Sequence, residues 1–346
     1  MSALAGSWML LSQPVWAAFS IPGYELVYNA PQETTLQDND LRHAAEVWQQ
    51  MFDAARSHID LAQFYVANEK GSLLDGVLAR LRAAGERGVK IRFLMEEKGV
   101  GLSTPETLTA LKAIPNLELR VIPFHRLTGG IVHAKYLLVD GKEAFVGSQN
   151  FDWRALEQIQ ETGLRISDPQ TVQQIQAIFD QDWQAQALLA ESKPVPKPAR
   201  QAVASAPQGN YLVASPRDYN PSGVIDSQVA LPQLLASAKS RIRVQVMDYA
   251  PLAWGEKGSR PFYAPIDNAL RSAAARGVQV ELMVANWNLK KPEVFWLKSL
   301  SLVPNVQLKV VTIPPASRGF IPFARVVHSK LMTIDGTTAV SYTHLR

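Results

Sequence analysis

The sequence predicts an α/β protein of two duplicated α-β-α layered domains with mixed sheets, packed about a pseudo-twofold axis. Three observations lead to this fold class. Helical and strand periodicities alternate along the chain, four sequence blocks recur in the same order, and a proline-rich segment separates the two sets of blocks. The length of 346 residues is enough for two cores, since single domains commonly have roughly 100–200 residues.

The four recurring blocks indicate an internal duplication. Each block occurs once in each half: Ala55–Ile59 with Ala238–Ile242, Leu81–Val89 with Leu270–Val278, Ile114–Leu117 with Val303–Val306, and Val132–Gly141 with Val327–Gly336. We therefore divide the chain into a first repeat, residues 25–190, a proline-rich linker, residues 191–210, and a second repeat, residues 211–346. Equivalent residues of the two halves are expected to face each other across one cleft.

Within the first repeat, helix and strand patterns follow one another. Apolar residues at helical spacing predict helices over residues 41–56, 73–84 and 171–183. Apolar or alternating runs predict strands over residues 59–66, 89–95 and 117–122, and further strands within 136–146. This order is typical of an α/β layered domain.

The composition places few limits on function. A net charge of +4 is too small to identify nucleic acid or an acidic membrane as a partner. Because the chain has no cysteine, disulfides, a thiolate nucleophile and cysteine-ligated zinc are excluded.

The N-terminal segment bears on location. Residues 4–18 are largely apolar, and the first charged side chain is Glu25. Residues 1–24 are interpreted either as a signal-peptide remnant or as an ordinary apolar segment. We expect an exported protein or one peripheral to a membrane, and the sequence leaves a cytoplasmic location open.

The fourth recurring block carries the candidate chemistry, because it reads His-x-Lys-x-x-x-x-Asp in both halves. Strand alternation puts the histidine and the lysine of each string on one face. Covalent cleavage of a phosphodiester needs one group that attacks phosphorus, another that protonates the departing oxygen, and cations that neutralise the phosphate. The residues are His133, Lys135 and Asp140 in the first string, and His328, Lys330 and Asp335 in the second.

Residues after the first string extend this candidate site. In Gly147-Ser148-Gln149-Asn150, the Ser148 hydroxyl and the Asn150 amide are able to donate hydrogen bonds to phosphate oxygens. Further on, Glu161 is placed to accept a hydrogen bond from a histidine ring nitrogen and so fix the orientation of that ring. The sequence does not specify which histidine Glu161 serves.

The chain has two such strings in a duplicated α/β pattern, and the first string is followed by Gly-Ser-x-Asn and a later Glu. In these features it resembles the phospholipase D superfamily over most of residues 24–340. The resemblance implies a phosphohistidine intermediate, neither a metal ion nor another cofactor, and active-site histidines paired between the halves. It further implies that His133 is the nucleophile and His328 the general acid, that Lys135, Lys330 and Asn150 bind phosphate, that Glu161 orients a histidine, and that Asp140 and Asp335 brace the structure.

The substrate is less well defined than the chemistry. The segment Asn150–Leu156 is similar to the branch with the lysosomal phospholipase-D-type 5′ exonucleases and their bacterial relatives. Our leading hypothesis is a phosphodiesterase that hydrolyses phospholipids or transfers their phosphatidyl group. The alternatives are a nuclease for single-stranded DNA or RNA and an inactive phosphate-binding scaffold. We expect a monomer with two pseudo-symmetric halves, and contact with a membrane surface stays open.

The residues after the second string differ from those after the first. Beyond Asp335 the first repeat would predict another Gly-Ser-x-Asn and another Glu, but the sequence reads Ser341-Tyr-Thr-His-Leu-Arg346. We expect the second repeat to be truncated, with an exposed sheet edge.

Overall fold

A computed structural model describes residues 20–198, 209–253 and 258–341 of the chain. Most of the predicted signal-peptide remnant, part of the linker and residues 342–346 lie outside the described residues. The expectations that depend on those segments, including truncation of the second repeat, stay predictions. Within the described ranges, no helix combines the length and the apolar character that crossing a bilayer requires.

The first repeat alternates strands and helices as its periodicity predicts. Its strands are β1 (Ser20–Ile21), β2 (Tyr24–Asn29), β3 (His58–Gln63), β4 (Val66–Ala67), β5 (Lys90–Glu96), β6 (Leu117–Ile122), β7 (Lys135–Val139), β8 (Glu143–Gly147), β9 (Phe151–Asp152) and β10 (Glu161–Ile166). Its helices are α1 (Ala44–Ala54), α2 (Leu73–Glu86), α3 (Glu97–Val100), α4 (Pro105–Lys112), α5 (His125–Thr128), α6 (Trp153–Glu157) and α7 (Pro169–Ala190).

The first repeat is a three-layered α-β-α unit around an eight-stranded mixed sheet. The strand order is β1-β2-β10-β8-β7-β3-β5-β6, with β3, β5 and β6 parallel and β7 and β8 antiparallel. Strand alternation gives each face its own core. Leu137 packs with α1 and α2 on one face, whereas Tyr136 and Leu138 pack with α7 on the other.

The second repeat has the same topology. Its elements are β11 (Val213–Ala214), β12 (Ile225–Asp226), α8 (Ser227–Ser237), β13 (Arg241–Val246), α9 (Pro265–Ala275), β14 (Gln279–Ala285), α10 (Glu293–Ser301), β15 (Val306–Val311), β16 (Leu331–Ile334) and β17 (Thr338–Ser341). Its five-stranded sheet has the order β15-β14-β13-β16-β17, which repeats the order β6-β5-β3-β7-β8 of the first sheet. The duplication predicted from four short blocks is therefore confirmed at the level of topology.

The two faces of the second sheet differ. Helices α8, α9 and α10 cover one face and form a core with residues such as Ile242 and Leu282. On the other face, where α7 lies in the first repeat, no helix of the described chain covers the sheet. A cavity of about 450 Å³ lies there, lined by residues that include Arg243, Glu281 and Lys309. In the described residues, the second repeat thus has two of the three predicted layers.

The turn that ends each string is built in the same way in both repeats. Asp140 and Asp335 adopt left-handed φ angles of 54° and 53°. The Asp140 carboxylate accepts hydrogen bonds from the backbone N–H groups of Arg56, Ser57 and His58. The Asp335 carboxylate accepts the equivalent bonds from Lys239, Ser240 and Arg241. Each aspartate thereby ties its strand pair to the beginning of the central strand.

The two repeats are joined directly by backbone hydrogen bonds. The segment that leads into β10 runs beside the segment that carries the second string. Gln160 N–H donates to Val326 O at 3.0 Å, and His328 N–H donates to Gln160 O at 2.8 Å. Residues 313–327 also contribute Ile313, Ile321 and Val327 to the core of the first repeat. The halves therefore share one packed interface, as the pseudo-twofold arrangement requires.

Candidate active site

Each histidine-lysine pair lies where its string enters the sheet. Lys135 is the first residue of β7, and Lys330 directly precedes β16. Lys135 Nζ lies 3.2 Å from His133 Nδ1 and donates to the His133 carbonyl at 2.9 Å. Lys330 Nζ donates to the His328 carbonyl at 2.7 Å. The structure thus places His and Lys of each string together, as strand alternation predicts.

Both lysine side chains are buried, with 2 % of Lys135 and 7 % of Lys330 exposed. Burial lowers the pKa of Lys330 to about 8, although Glu161 and Asp248 partly oppose this shift. Burial also holds the pKa of Lys135 well below its ordinary value, and the nearby positive charge of Lys330 lowers it further. Two mutually repelling ammonium groups in one buried pocket make a strong site for an anion, because an anion relieves both the repulsion and the desolvation.

Glu161 orients His328. His328 Nδ1 lies 2.9 Å from each carboxylate oxygen of Glu161, and both side chains are buried. A carboxylate accepts hydrogen bonds, so Nδ1 carries the proton and Nε2 points to the pocket as the reactive nitrogen. Burial lowers the pKa of His328, while the Glu161 charge partly raises it again.

Electrostatic coupling shows that the two strings share one pocket. Lys330 and Glu161 both act on the pKa of Lys135, and Lys135 in turn acts on the pKa of His328. Since Lys135 also contacts His133, one cluster contains both histidines, both lysines and the glutamate. These residues come from the two repeats, as the sequence predicts.

Asn150 and Ser148 have different surroundings. Asn150 is buried, and its Oδ1 has no hydrogen-bond partner among the described residues. Ser148 Oγ donates to Thr162 O and accepts from Thr162 N–H, both at 3.1 Å. The Ser148 hydroxyl thus extends the β8–β10 pairing, and its expected donation to phosphate stays a prediction.

Asp140 and Asp335 lie away from the pocket. Asp140 comes directly after the last residue of β7, whereas Lys135 begins that strand. The two residues are five positions apart along the strand, or about 16 Å. The pKa of Asp140 is lowered to about 2. Its carboxylate accepts hydrogen bonds from the backbone of His58 and Ser57 and from the Ser57 hydroxyl, and these bonds outweigh the raising effect of partial burial.

Two residues that support His133 were not identified from the sequence. The Phe64 ring packs against the imidazole with the ring centroids 4.5 Å apart. Glu96 Oε2 accepts from Val132 N–H at 2.8 Å and so fixes the backbone directly before His133. Both lie at strand ends: Phe64 succeeds β3, and Glu96 is the last residue of β5. Their position at the carboxyl edge of the sheet was the available signal.

Asp248 was also missed. It lies two residues after β13. Partial burial raises its pKa above the ordinary value, although the charges of Lys290, Lys330 and His328 partly oppose this shift. The repeat register makes Asp248 the counterpart of Tyr65, which lies two residues after β3. No group of three or more His, Asp or Glu side chains in the described ranges is arranged to hold a metal ion.

Two repeats of one topology thus contribute one His-Lys pair each to a shared, two-motif site. Comparison with known proteins identifies the family that has this architecture. A family model described as cardiolipin synthase, PLD-like domain, matches residues 49–183. Phospholipase D Z of Dictyostelium discoideum is 31% identical over 340 residues, which cover 90% of this chain and 78% of that protein. The chain belongs to the phospholipase D family.

Other relatives carry different names. The 5'-3' exonuclease PLD4 of Mus musculus is 30% identical over 86% of this chain and 64% of its own length. A Caenorhabditis elegans relative with a phospholipase D name is 28% identical over 85% of this chain and 58% of its own length. The chain therefore spans less than two thirds of these two relatives.

A solved structure supports the fold alone. The polyphosphate kinase of Porphyromonas gingivalis aligns with a TM-score of 0.50 and 15% identity, over 92% of this chain and 44% of that chain.

Proposed function

We propose that the protein is a phosphodiesterase that works through a covalent phosphohistidine. The observation that carries this proposal is the cluster to which each repeat contributes one histidine and one lysine, with Lys135, His328 and Lys330 buried. One imidazole is available to attack phosphorus and the other to move the proton. The two lysines neutralise the phosphate oxygens.

In the first step, a ring nitrogen of His133 attacks phosphorus and the bond to the leaving oxygen breaks. His328 acts as an imidazolium, with Nδ1–H held by Glu161 and Nε2–H given to the leaving oxygen. Lys135 and Lys330 lie against the non-bridging oxygens, and the Asn150 amide completes their surroundings. The products are an alcohol and a phosphoryl group bonded to His133.

In the second step, water or another alcohol attacks the phosphohistidine. Its proton passes to the now neutral Nε2 of His328, the new P–O bond forms, and the P–N bond to His133 breaks. Both histidines return to their starting states. The Glu161 carboxylate stabilises the imidazolium that forms.

Phospholipid is the leading substrate class in this proposal. It is supported by the relatives with phospholipase D names and by an exposed aromatic loop, Gly319–Phe323, that ends five residues before His328. Phe320 and Phe323 are 88% and 68% exposed. Phe323 adopts a left-handed φ of 58°, which costs energy in a bulky residue.

Ionic and hydrogen-bond contacts anchor this loop from both sides. Arg318 Nη1 lies 2.7 Å from Glu69, and Arg154 Nη1 donates to Pro322 O at 3.0 Å. Because the loop is held firmly while its phenylalanines project, it suits shallow insertion into a lipid surface. We therefore include a peripheral membrane contact in the proposal.

Single-stranded nucleic acid is the second candidate substrate. It is supported by the relatives named as 5'-3' exonucleases, among them those of Mus musculus and Xenopus laevis. The same two histidines would cleave the backbone phosphodiester. A scaffold that binds phosphate without turnover is the remaining alternative.

The test is a substrate panel incubated with the protein and with its His133→Ala variant. The panel contains vesicles of phosphatidylcholine or phosphatidylglycerol and an end-labelled single-stranded oligonucleotide, each with and without a chelator. The proposal predicts that the protein cleaves at least one of these phosphodiesters, both with and without chelator. The His133→Ala variant should cleave none of them. Oligonucleotide cleavage alone would replace lipid with nucleic acid. Phosphate binding without any cleavage would contradict the proposed phosphodiesterase and support the phosphate-binding scaffold instead.

We also propose that the protein is exported and monomeric. The apolar residues 4–18 support export, and the shared core of the two repeats supports a monomer because one chain completes the site. Fractionation of the producing cells and a mass measurement in solution test these two points.

A further inference from the structure

We infer that Asp248 holds the hydroxyl group that attacks the phosphohistidine in the second step. This inference rests on the proposed function and names a residue that neither string contains. Asp248 lies just after β13, at the edge of the sheet that carries the site. Asp248 is an exposed residue with a partly desolvated carboxylate, which has no hydrogen bond or ion pair to any residue in the described ranges.

The counterpart in the first repeat has a different environment. Tyr65 occupies the equivalent place after β3. Its hydroxyl donates to Asp152 at 2.5 Å, and Asp152 also pairs with Arg154 at 2.6 Å. In the first repeat, the Tyr65 hydroxyl and the Asp152 carboxylate thus have partners within the repeat. At the same place in the second repeat, the described residues leave a carboxylate whose acceptor oxygens have no hydrogen-bond donor.

The strand register locates Asp248 beside the second string. β13 and β16 are antiparallel, with Gln245 opposite Leu331, so the same register continued past the strand ends brings Asp248 level with His328. The charges of Lys330 and His328 also act on the pKa of Asp248. Asp248 therefore lies on the side of His328, where the leaving oxygen departs and, by microscopic reversibility, where the attacking oxygen enters.

The chemistry of a carboxylate limits what it binds there. An ionised carboxylate only accepts hydrogen bonds and repels the phosphoryl oxygens. The group bound by Asp248 must therefore be a hydrogen-bond donor. An attacking water molecule meets this requirement because it has two hydrogens. One is transferred to His328 Nε2 as the P–O bond forms and the P–N bond to His133 breaks. The other is held by Asp248, which keeps the oxygen lone pair directed at phosphorus.

A purely electrostatic role makes a different prediction. Asp248 raises the pKa of Lys330, so its removal would weaken the Lys330 charge and slow both steps alike. If Asp248 instead holds the attacking hydroxyl group by accepting its hydrogen bond, the loss of Asp248 slows only the second step. The rates of the two steps in one variant therefore separate the two roles.

The experiment is rapid-mixing kinetics with bis(p-nitrophenyl) phosphate, whose nitrophenolate leaves without a proton. At about pH 6, where Lys330 with its pKa of about 8 stays charged, we expect Asp248→Asn to have a first-step rate within about twofold of the original and a steady-state turnover about 10–100-fold lower. A burst of nitrophenolate close to one per site should accompany accumulation of a covalent adduct. Asp248→Glu should recover part of the second step.

A charge-matched control is Glu281→Gln, which removes a carboxylate from the uncovered outer face of the second sheet, where Glu281 pairs with Arg243 at 2.7 Å. It should leave both rates unchanged. Equal slowing of both steps in Asp248→Asn, or no slowing, would overturn the inference about Asp248. Absence of any adduct in both the original protein and Asp248→Asn would instead count against the proposed covalent mechanism.

Discussion

His328 Nδ1 and the Glu161 carboxylate lie 2.9 Å apart although they belong to different repeats and are 167 positions apart in the chain. A histidine of the second repeat, the proposed proton donor, is thus oriented by a residue of the first. The contact depends on the backbone hydrogen bonds between Gln160 and the residues Val326 and His328. Neither repeat alone contains an oriented His328.

Glu161→Gln should alter the pH dependence of turnover. Burial lowers the pKa of His328 and the Glu161 charge partly raises it, so removal of that charge lowers it further. Because His328 must be protonated to act as the acid, the alkaline limb of kcat should move to lower pH. At neutral pH, kcat should fall about 10–100-fold. Glu118→Gln, a change at an exposed residue of β6, is the control, and a profile that does not move would contradict the assigned role.

Substrate binding should weaken above pH 8 because Lys330 has a pKa of about 8. Deprotonation removes one of the two cations that hold the phosphate, so KM should rise between about pH 7 and about pH 9. Lys330→Arg keeps its charge over this range and should reduce the rise, even if its kcat is lower. A KM that is independent of pH in the original protein would show that Lys330 does not bind substrate in its charged form.

Asp140→Asn should affect stability and leave turnover intact. The folded-state pKa of Asp140, about 2, lies below its ordinary value of 3.8, so the stabilisation is present above about pH 4 and is lost as the pH falls towards 2. At neutral pH the free energy of unfolding should fall by about 1–2 kcal/mol. Urea unfolding at about pH 7 and about pH 3 measures the difference, which should shrink at the lower pH. A large loss of kcat with unchanged stability would place Asp140 in the active site instead.

Phe320→Ser and Phe323→Ser should weaken binding to phospholipid vesicles, by about tenfold each, because burial of a phenylalanine side chain contributes about 1.5–3 kcal/mol. The matched control is Leu302→Ser. Leu302 is 83% exposed, but it lies at the C-terminal end of α10, away from the strand ends that carry the site. Equal loss in all three variants would indicate nonspecific adsorption. No loss in the two phenylalanine variants would remove the membrane contact from the proposal.

Local patterns were sufficient to predict the fold class and the duplication. The strand periods over residues 59–66 and 89–95 correspond to β3 and β5, and the repeat register is reproduced in the strand order of both sheets. Differences arose at element ends. The helix predicted over 41–56 begins at Ala44, because His43 caps it by accepting from Ala45 N–H. The helix predicted over 171–183 extends from Pro169 to Ala190, where its apolar periodicity is weaker.

The site was predictable only where a motif repeats. His133, Lys135, His328 and Lys330 could be identified because two copies stand at equivalent places. The partner of Glu161 could not, since it is determined by pairing between distant segments. The contacts of Ser148 with Thr162 could not be predicted, because a hydroxyl next to a glycine fits either a phosphate cradle or a strand edge. Asp248 belongs to no motif, and only its register with Tyr65 marked its position.

The most direct test of the proposed mechanism is to locate the phosphoryl group on the protein. The His328→Ala variant, mixed with bis(p-nitrophenyl) phosphate and quenched in alkali, should accumulate a covalent adduct because water is no longer activated. Peptide mapping should place that adduct, labile in acid, on His133. An adduct on any other residue, or stoichiometric nitrophenolate release without an adduct, would contradict the two-histidine mechanism.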